Sequence, residues 1–107
     1  MASELVTQLR HIRDKVNDLT IDDDKAKEFE NLITKSIEII TKMSNPHDDF
    51  FESRRRGALR DLQGDFSRHL KGYWESQSKI DKISEFSRAR NNANLVLSHI
   101  ITSFKNS

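Results

Sequence analysis

Residues 59–77 read LRDLQGDFSRHLKGYWESQ, and this stretch decides the fold. Leu59, Leu62, Phe66, Leu70, Tyr73 and Gln77 follow one another at steps of three and four residues. With 3.6 residues to a turn, that spacing keeps them on one face of an α-helix. The residues between them are mostly charged or small and polar, which leaves a wide solvated face opposite the stripe. Helix is the only strong secondary-structure signal in the chain.

Upstream, Leu5, Leu9, Ile12, Val16 and Leu19 continue the pattern and predict a helix over about 3–19, with Ser3 as a candidate cap. The run Thr20-Ile21-Asp22-Asp23-Asp24 breaks it. Thr20 or Asp22 can cap a second helix, and the remaining acids suit its positive N-terminal end. Ala26, Phe29, Ile33, Ile37, Ile40 and Met43 form its stripe, widened by Leu32 and Ile39, so the second helix spans about 22–44. Ser44-Asn45-Pro46 is the clearest boundary, with Asn45 as N-cap and Pro46 in the first helical position.

From there a long third segment runs over about 46–80, and its stripe ends on Gln77 and Ile80. The pattern restarts as Ile83, Phe86, Arg90, Ala93, Leu97, Ile100 and Phe104, giving a fourth helix over about 83–105. The consecutive steps of three at Ile80, Ile83 and Phe86 shift the stripe and point to a kink or break near 78–84. Unbroken, residues 47–105 would span roughly 90 Å at 1.5 Å per residue, too long for two short partners to cover. Gly57, Gly64 and Gly72 lie inside the helical pattern, where each costs about 1 kcal/mol relative to alanine. They reflect either close backbone approach or simply a less stable helix. The expected architecture is all-α: one domain over 1–107, an antiparallel three- or four-helix bundle with short first two helices and a long third segment.

The 107 residues include no cysteine, which removes disulfides, thiol nucleophiles and Cys-based zinc sites. A charged fraction of 33% and a mean hydropathy of −0.74 fit thin amphipathic helices better than a deep core. Apolar runs such as Ile39-Ile40 and Leu95-Val96-Leu97 fall far short of the roughly 20 residues of a membrane span. The N-terminus has neither the basic region nor the apolar stretch of a secretory signal. Charge is uneven: residues 1–52 hold 7 Lys/Arg against 12 Asp/Glu, and residues 53–107 hold 11 against 5. An acidic hairpin packed beside a basic helix accounts for this. Nucleic-acid or anionic-lipid binding by the basic half is the alternative.

No catalytic, cofactor or metal site is expected. His11, His47, His69 and His99 show no i, i+4 pair and no HExxH. Lys71 follows His69 by two residues, not the three that would set it on the same helical face to neutralise a phosphohistidine. Asp22-Asp23-Asp24 lacks the glycine and the alternate oxygen ligands of an EF-hand. There is no glycine-rich phosphate loop and no GxSxG. Arg54, Arg55 and Arg56, with Arg60, Arg68 and Lys71, form the most basic patch, but three consecutive arginines fan around a helix and no aromatics interleave with them. Trp74 points about 100° off the Tyr73 stripe, either widening the core or standing as an anchor for a partner. Arg54, Arg55, Arg56 and Trp74 are the candidate partner-binding residues.

The segment 59–77, with its Leu62, Phe66, Leu70, Tyr73 and Gln77 series, resembles the third helix of the Habc domain of syntaxins and related Q-SNAREs. The two preceding helices resemble the first two of that domain. Residues 88–97, RARNNANLVL, are similar to the stretch leading towards the fusion motif in endoplasmic-reticulum Q-SNAREs of the retrograde route. The likeness covers about residues 3–80, and any antiparallel bundle can carry such a stripe. It departs from the family in having no membrane anchor in this chain. A second placement within the family would make Gln77 the central layer of a fusion motif, but the Ile80–Ile83 shift, Arg90 in the stripe and the in-run glycines oppose it.

The resemblance implies a non-enzymatic regulatory domain in vesicle trafficking and membrane fusion, on the cytosolic face of the endoplasmic reticulum or Golgi. Its partner would be a helical tethering-complex subunit or a SNARE regulator, with no small-molecule substrate and no nucleic acid. Membrane contact would come only through an anchor absent from this chain. The alternative is a stand-alone helical bundle of another class, such as a bacterial immunity protein or a coiled-coil assembly subunit.

Overall fold

The structure is a computed structural model that describes the backbone of residues 2–105 and the side chains of residues 4–104. Every regular element among them is a helix: α1 (Ala2–Asn17), α2 (Asp23–Lys42), α3 (Asp49–Gln63), α4 (Asp65–Glu75) and α5 (Lys79–Lys105). The expected cap Ser3 lies outside the described side chains.

The helix ends follow from short polar side chains. Asp22 is the N-cap of α2 and accepts a hydrogen bond from Lys25 N at 2.8 Å, while Thr20 Oγ1 donates to its other oxygen. The cap of α3 is Asp48, not Asn45: its carboxylate accepts from Phe51 N at 3.0 Å. Pro46 lies in the preceding turn, which Asp48 N closes onto Asn45 O. Proline's fixed φ suits such a turn as well as a first helical position, so the sequence boundary is right and the helix starts three residues later.

The expected third helix over 46–80 is two helices. Gly64 (φ −106°, ψ −75°) separates α3 from α4, yet its N–H still reaches Arg60 O and its carbonyl still accepts from Arg68 N. α3 and α4 are therefore one bent rod whose hydrogen-bond ladder continues through the bend. The chain turns at residues 76–78, where Ser76 Oγ donates to Gly72 O and Ser78 Oγ accepts from Asp81 N. α5 thus begins four residues before the expected start at 83. Gln77 and Ile80, expected on the buried stripe, are exposed, Ile80 at 79%.

Long-range contacts fix the topology. Phe29 of α2 meets Phe66 of α4 and Phe86 of α5 at ring separations of 4.7 and 5.5 Å. Phe51 at the start of α3 meets Phe104 near the end of α5 at 4.9 Å. Arg90 Nη1 donates to Leu19 O at the end of α1, 2.9 Å away. Successive rods therefore run up and down, and α5 packs on α1 as well as on α3 and α4. The result is an antiparallel four-rod bundle measuring 47 × 21 × 17 Å.

An aromatic cluster of Phe29, Phe66, Tyr73 and Phe86 fills one end and the Phe51–Phe104 pair the other. Leu9, Ile40, Leu62, Leu97 and Ile100 are buried in the core with them. Ser36 is the buried polar residue of this core, and its hydroxyl is satisfied by donating to Leu32 O. Ala89 and Ala93 are fully buried on α5.

Candidate partner-binding surfaces

α4 packs chiefly on α5, and between α4 and α2 the surface opens into a trough of about 610 Å³. Buried Ile33, Leu62, Phe66 and Leu70 form its floor, Ile37 and Trp74 add partly exposed apolar surface, and Glu30, Thr34, Gln63, Ser67, Lys71 and Glu75 complete the lining. Trp74 is 38% exposed, and its Nε1 donates to Glu30 Oε1 at 3.1 Å. Its ring stands edge-on to Tyr73, 5.1 Å between centroids. Both contacts hold the indole in one orientation with part of its surface still facing solvent. That is the environment in which a tryptophan contributes most to a protein interface, because little side-chain freedom remains to be lost on binding.

Below Trp74 the bundle end is tied by a polar cluster. The buried Tyr73 hydroxyl donates to Asp23 Oδ1 at 2.7 Å. Lys82 reaches the same oxygen at 3.5 Å and lies 5.1 Å from the Tyr73 ring centroid. Burial, then the hydrogen bond to Asp23, pushes the phenol up from its ordinary value. The Asp23 carboxyl is lowered by that same hydrogen bond first and by Lys82 in addition. The cluster joins α2, α4 and α5. Tyr73→Phe keeps the ring and removes the bond, so it should destabilise the bundle by about 1 kcal/mol in urea denaturation.

The three arginines do not act together. Arg55 is half-buried and bonded to Glu52, with Nη2 to Oε1 at 2.7 Å and Nε 3.2 Å from each carboxylate oxygen. Glu52 also accepts from Asn45 N at 2.7 Å, so this pair pins the α2–α3 turn. Arg55 is therefore a structural residue rather than a free binding group. Arg56 is exposed and makes no ion pair within 4 Å among the described residues, its charge acting on Glu52 only at longer range. Arg54 stacks over Phe50, 5.0 Å from the ring centroid, and lines a groove between α3 and α5. It lies on a different face of the rod from Trp74, so the four candidate residues do not form one site.

The Glu52 pair has a pH signature. The hydrogen bond from Arg55, then that from Asn45 N–H, holds the Glu52 carboxyl below its ordinary 4.5, and Asp23 is likewise held below its ordinary 3.8. The folded state binds these protons more weakly than the unfolded chain does. Their contribution is present above the ordinary carboxylate values and is lost as pH falls through the lowered ones. Thermal unfolding followed by circular dichroism should show Tm falling as pH drops below about 4.5, with a flatter profile in Glu52→Gln.

The glycines have three different settings. At Gly72 a Cβ would lie 3.0 Å from Glu85 Cδ and Oε2, so the glycine admits the Glu85 carboxylate against α4. There Glu85 Oε2 sits 3.1 Å from His69 Nδ1. Gly64 marks the bend. A Cβ on Gly57 would meet nothing within 4 Å. Gly57→Ala should therefore stabilise the isolated domain by about 1 kcal/mol through helix propensity alone, seen as a rise in Tm.

Asn92 Nδ2 is buried with no hydrogen-bond partner among the described residues. No group of His, Cys, Asp and Glu among the described residues could hold a metal ion, and no described helix is long and apolar enough to cross a membrane. No family profile matches this sequence, and neither a curated protein nor a solved structure shows significant similarity to it.

Proposed function

We propose that this chain is a non-enzymatic protein-interaction domain, the N-terminal regulatory bundle of a Q-SNARE in vesicle trafficking, and that it binds a helix of a tethering or regulatory protein. The observation that carries the binding role is the trough between α2 and α4. Its mixed apolar and polar lining includes a part-exposed tryptophan bonded to Glu30. A groove of this kind receives the apolar face of an amphipathic helix, read at i, i+3, i+4 and i+7. The Q-SNARE assignment rests on the likeness of residues 59–77 and on two preceding rods in the matching order.

Trp74→Ala and Thr34→Arg alter the trough: Thr34 is an exposed lining residue, and Trp74 meets the aromatic cluster only through the edge of Tyr73. Affinity capture from a eukaryotic lysate with the wild-type domain should recover tethering or SNARE components, and both variants should lose them with circular dichroism unchanged. Recovery of no trafficking component by the wild-type domain removes the Q-SNARE reading. Recovery that neither variant diminishes removes the trough.

One feature favours a second reading, a stand-alone bundle of another class. α5 packs on α1, α3 and α4 as the fourth rod, whereas the resemblance reaches only to about residue 80. A natural reading frame continuing into a heptad-repeat fusion motif and an apolar tail would favour the trafficking role over this one.

A further inference from the structure

The outer face of α5 carries no charge from Ile80 to Thr102. Ile80, Ser84, Ser87, Asn91, Leu95, Ser98 and Thr102 follow one another at steps of three and four residues, so they share one face of the helix. All seven are exposed or part-exposed, Leu95 at 54%. Ile83, 40% exposed, adds apolar surface along one edge. The other rods present charge to solvent: Asp14 and Lys15 on α1, Glu28 and Lys35 on α2, Arg56 and Lys71 on α3 and α4. In a chain that is 33% charged, an uncharged face with three exposed large apolar residues marks an interaction surface. The arginines that border it are engaged within the chain. Arg88 lies 3.9 Å from Glu85, and Arg90 donates to Leu19 O.

The spacing of the strip says what covers it. The steps are 4, 3 and 4 from Ile80 to Asn91, and 4, 3 and 4 again from Asn91 to Thr102. The positions therefore read the same in both directions from Asn91. A twofold axis through Asn91 lays one α5 antiparallel on another and sets every position of the strip opposite a position of the strip, as an isologous contact requires. Leu95 then falls opposite Ser87 of the second copy and Ile80 opposite Thr102, so each large side chain meets a smaller one. Ser84 falls opposite Ser98. Asn91 meets itself, and its amide both donates and accepts, so it can pair with its own copy. No charge within the strip meets its like, and the antiparallel helix dipoles favour the pairing.

We infer that this face joins two copies of the chain in a weak antiparallel dimer, α5 against α5, with Asn91 on the twofold axis. The strip is about 33 Å long at 1.5 Å per residue. One helix pair of that length buries on the order of 1,000 Å² in total, the low end for a specific interface, so the dimer dissociates on dilution. The strip lies outside the trough between α2 and α4 and does not depend on the trafficking reading.

Sedimentation equilibrium of the wild-type domain over a wide concentration range should show a reversible monomer–dimer equilibrium. Leu95→Lys should weaken it at least tenfold. Adding Ser87→Glu to Leu95→Lys should recover association at low salt, because the two new charges face each other only across the axis. Asn91→Lys should also weaken association at least tenfold, and Trp74→Ala should leave it unchanged. The substituted positions are exposed or part-exposed, so Tm measured on dilute samples should stay level. The chain has no cysteine, so a nitroxide attached at Lys79→Cys labels one site. In the dimer two such labels should stand about 36 Å apart, the rise from residue 79 to its counterpart 103. A wild-type domain that stays monomeric at high concentration would overturn the inference, as would association that Leu95→Lys and Asn91→Lys leave intact. Labels lying close together would mean a parallel pairing and would overturn it too. Capture of another protein's helix by this face, with the domain itself monomeric, would assign the strip to that partner instead.

Discussion

Phe29→Ala should remove a large share of the stability of this bundle. The ring is fully buried, with Phe66 edge-on at 4.7 Å and Phe86 at 5.5 Å, so one side chain ties α2 to both α4 and α5. Replacing a buried phenylalanine by alanine typically costs about 3–5 kcal/mol, the sum of lost transfer energy and the cavity left behind. The loss of aromatic edge contacts is included in that range. A domain of this size commonly has about 5–15 kcal/mol in all, so the variant keeps a much reduced margin. In urea denaturation the midpoint should fall sharply, with the near-ultraviolet dichroism of Tyr73 and Trp74 and the far-ultraviolet signal lost together. Phe29→Leu, which keeps most of the volume, should lose much less. A loss of under about 1 kcal/mol in Phe29→Ala would mean that the three rings do not pack as described.

Ala93→Leu tests the opposite limit. Ala89 and Ala93 lie one turn apart on α5 and are fully buried. α5 is the rod that meets α1, α3 and α4 together, so a larger side chain here has nowhere to go without moving a neighbouring rod. Overpacking of this kind costs about 1–3 kcal/mol. Thermal melts should show a clear fall in Tm for Ala93→Leu and a similar one for Ala89→Leu. Thr102→Leu, an exposed change on the same helix, should leave Tm nearly constant. Equal melting of Ala93→Leu and wild type would show that α5 has slack against its neighbours.

The sequence made the rods legible wherever the stripe was continuous. Leu9, Ile12, Val16 and Leu19 are all buried, as are Ala26, Phe29, Ile33, Ile40 and Met43. Asp22 was among the candidate caps because its carboxylate stands three residues before a free amide. The turn at 76–78 was harder to place. Gln77 and Ile80 keep helical spacing through it by coincidence, and the loop contains neither glycine nor proline. Its physical signals are the hydroxyls of Ser76 and Ser78, which bond to the backbone and compete with the helix. Likewise Pro46 marked a boundary but fits both a turn and a first helical residue.

The candidate binding residues were legible only in part. Trp74, turned off the core stripe, does stand at the rim of a trough. Arg55 belongs with Glu52 three residues earlier, a pairing that the sequence spacing already permits. Gly57 could not be separated from Gly72 without coordinates, because only three-dimensional neighbours tell an open position from a filled one.

The placement of α5 also bears on the order of assembly. The bond from Arg90 to Leu19 spans 71 positions of the chain, and the last 27-residue rod closes against the first. During synthesis, α1 and α2 can pair early, but the core lacks one wall until residues 79–105 have left the ribosome. Nascent chains stalled before that point would expose Phe29, Phe66 and Leu62 to solvent. Chaperones that recognise apolar segments should hold such chains and release them once the final helix docks.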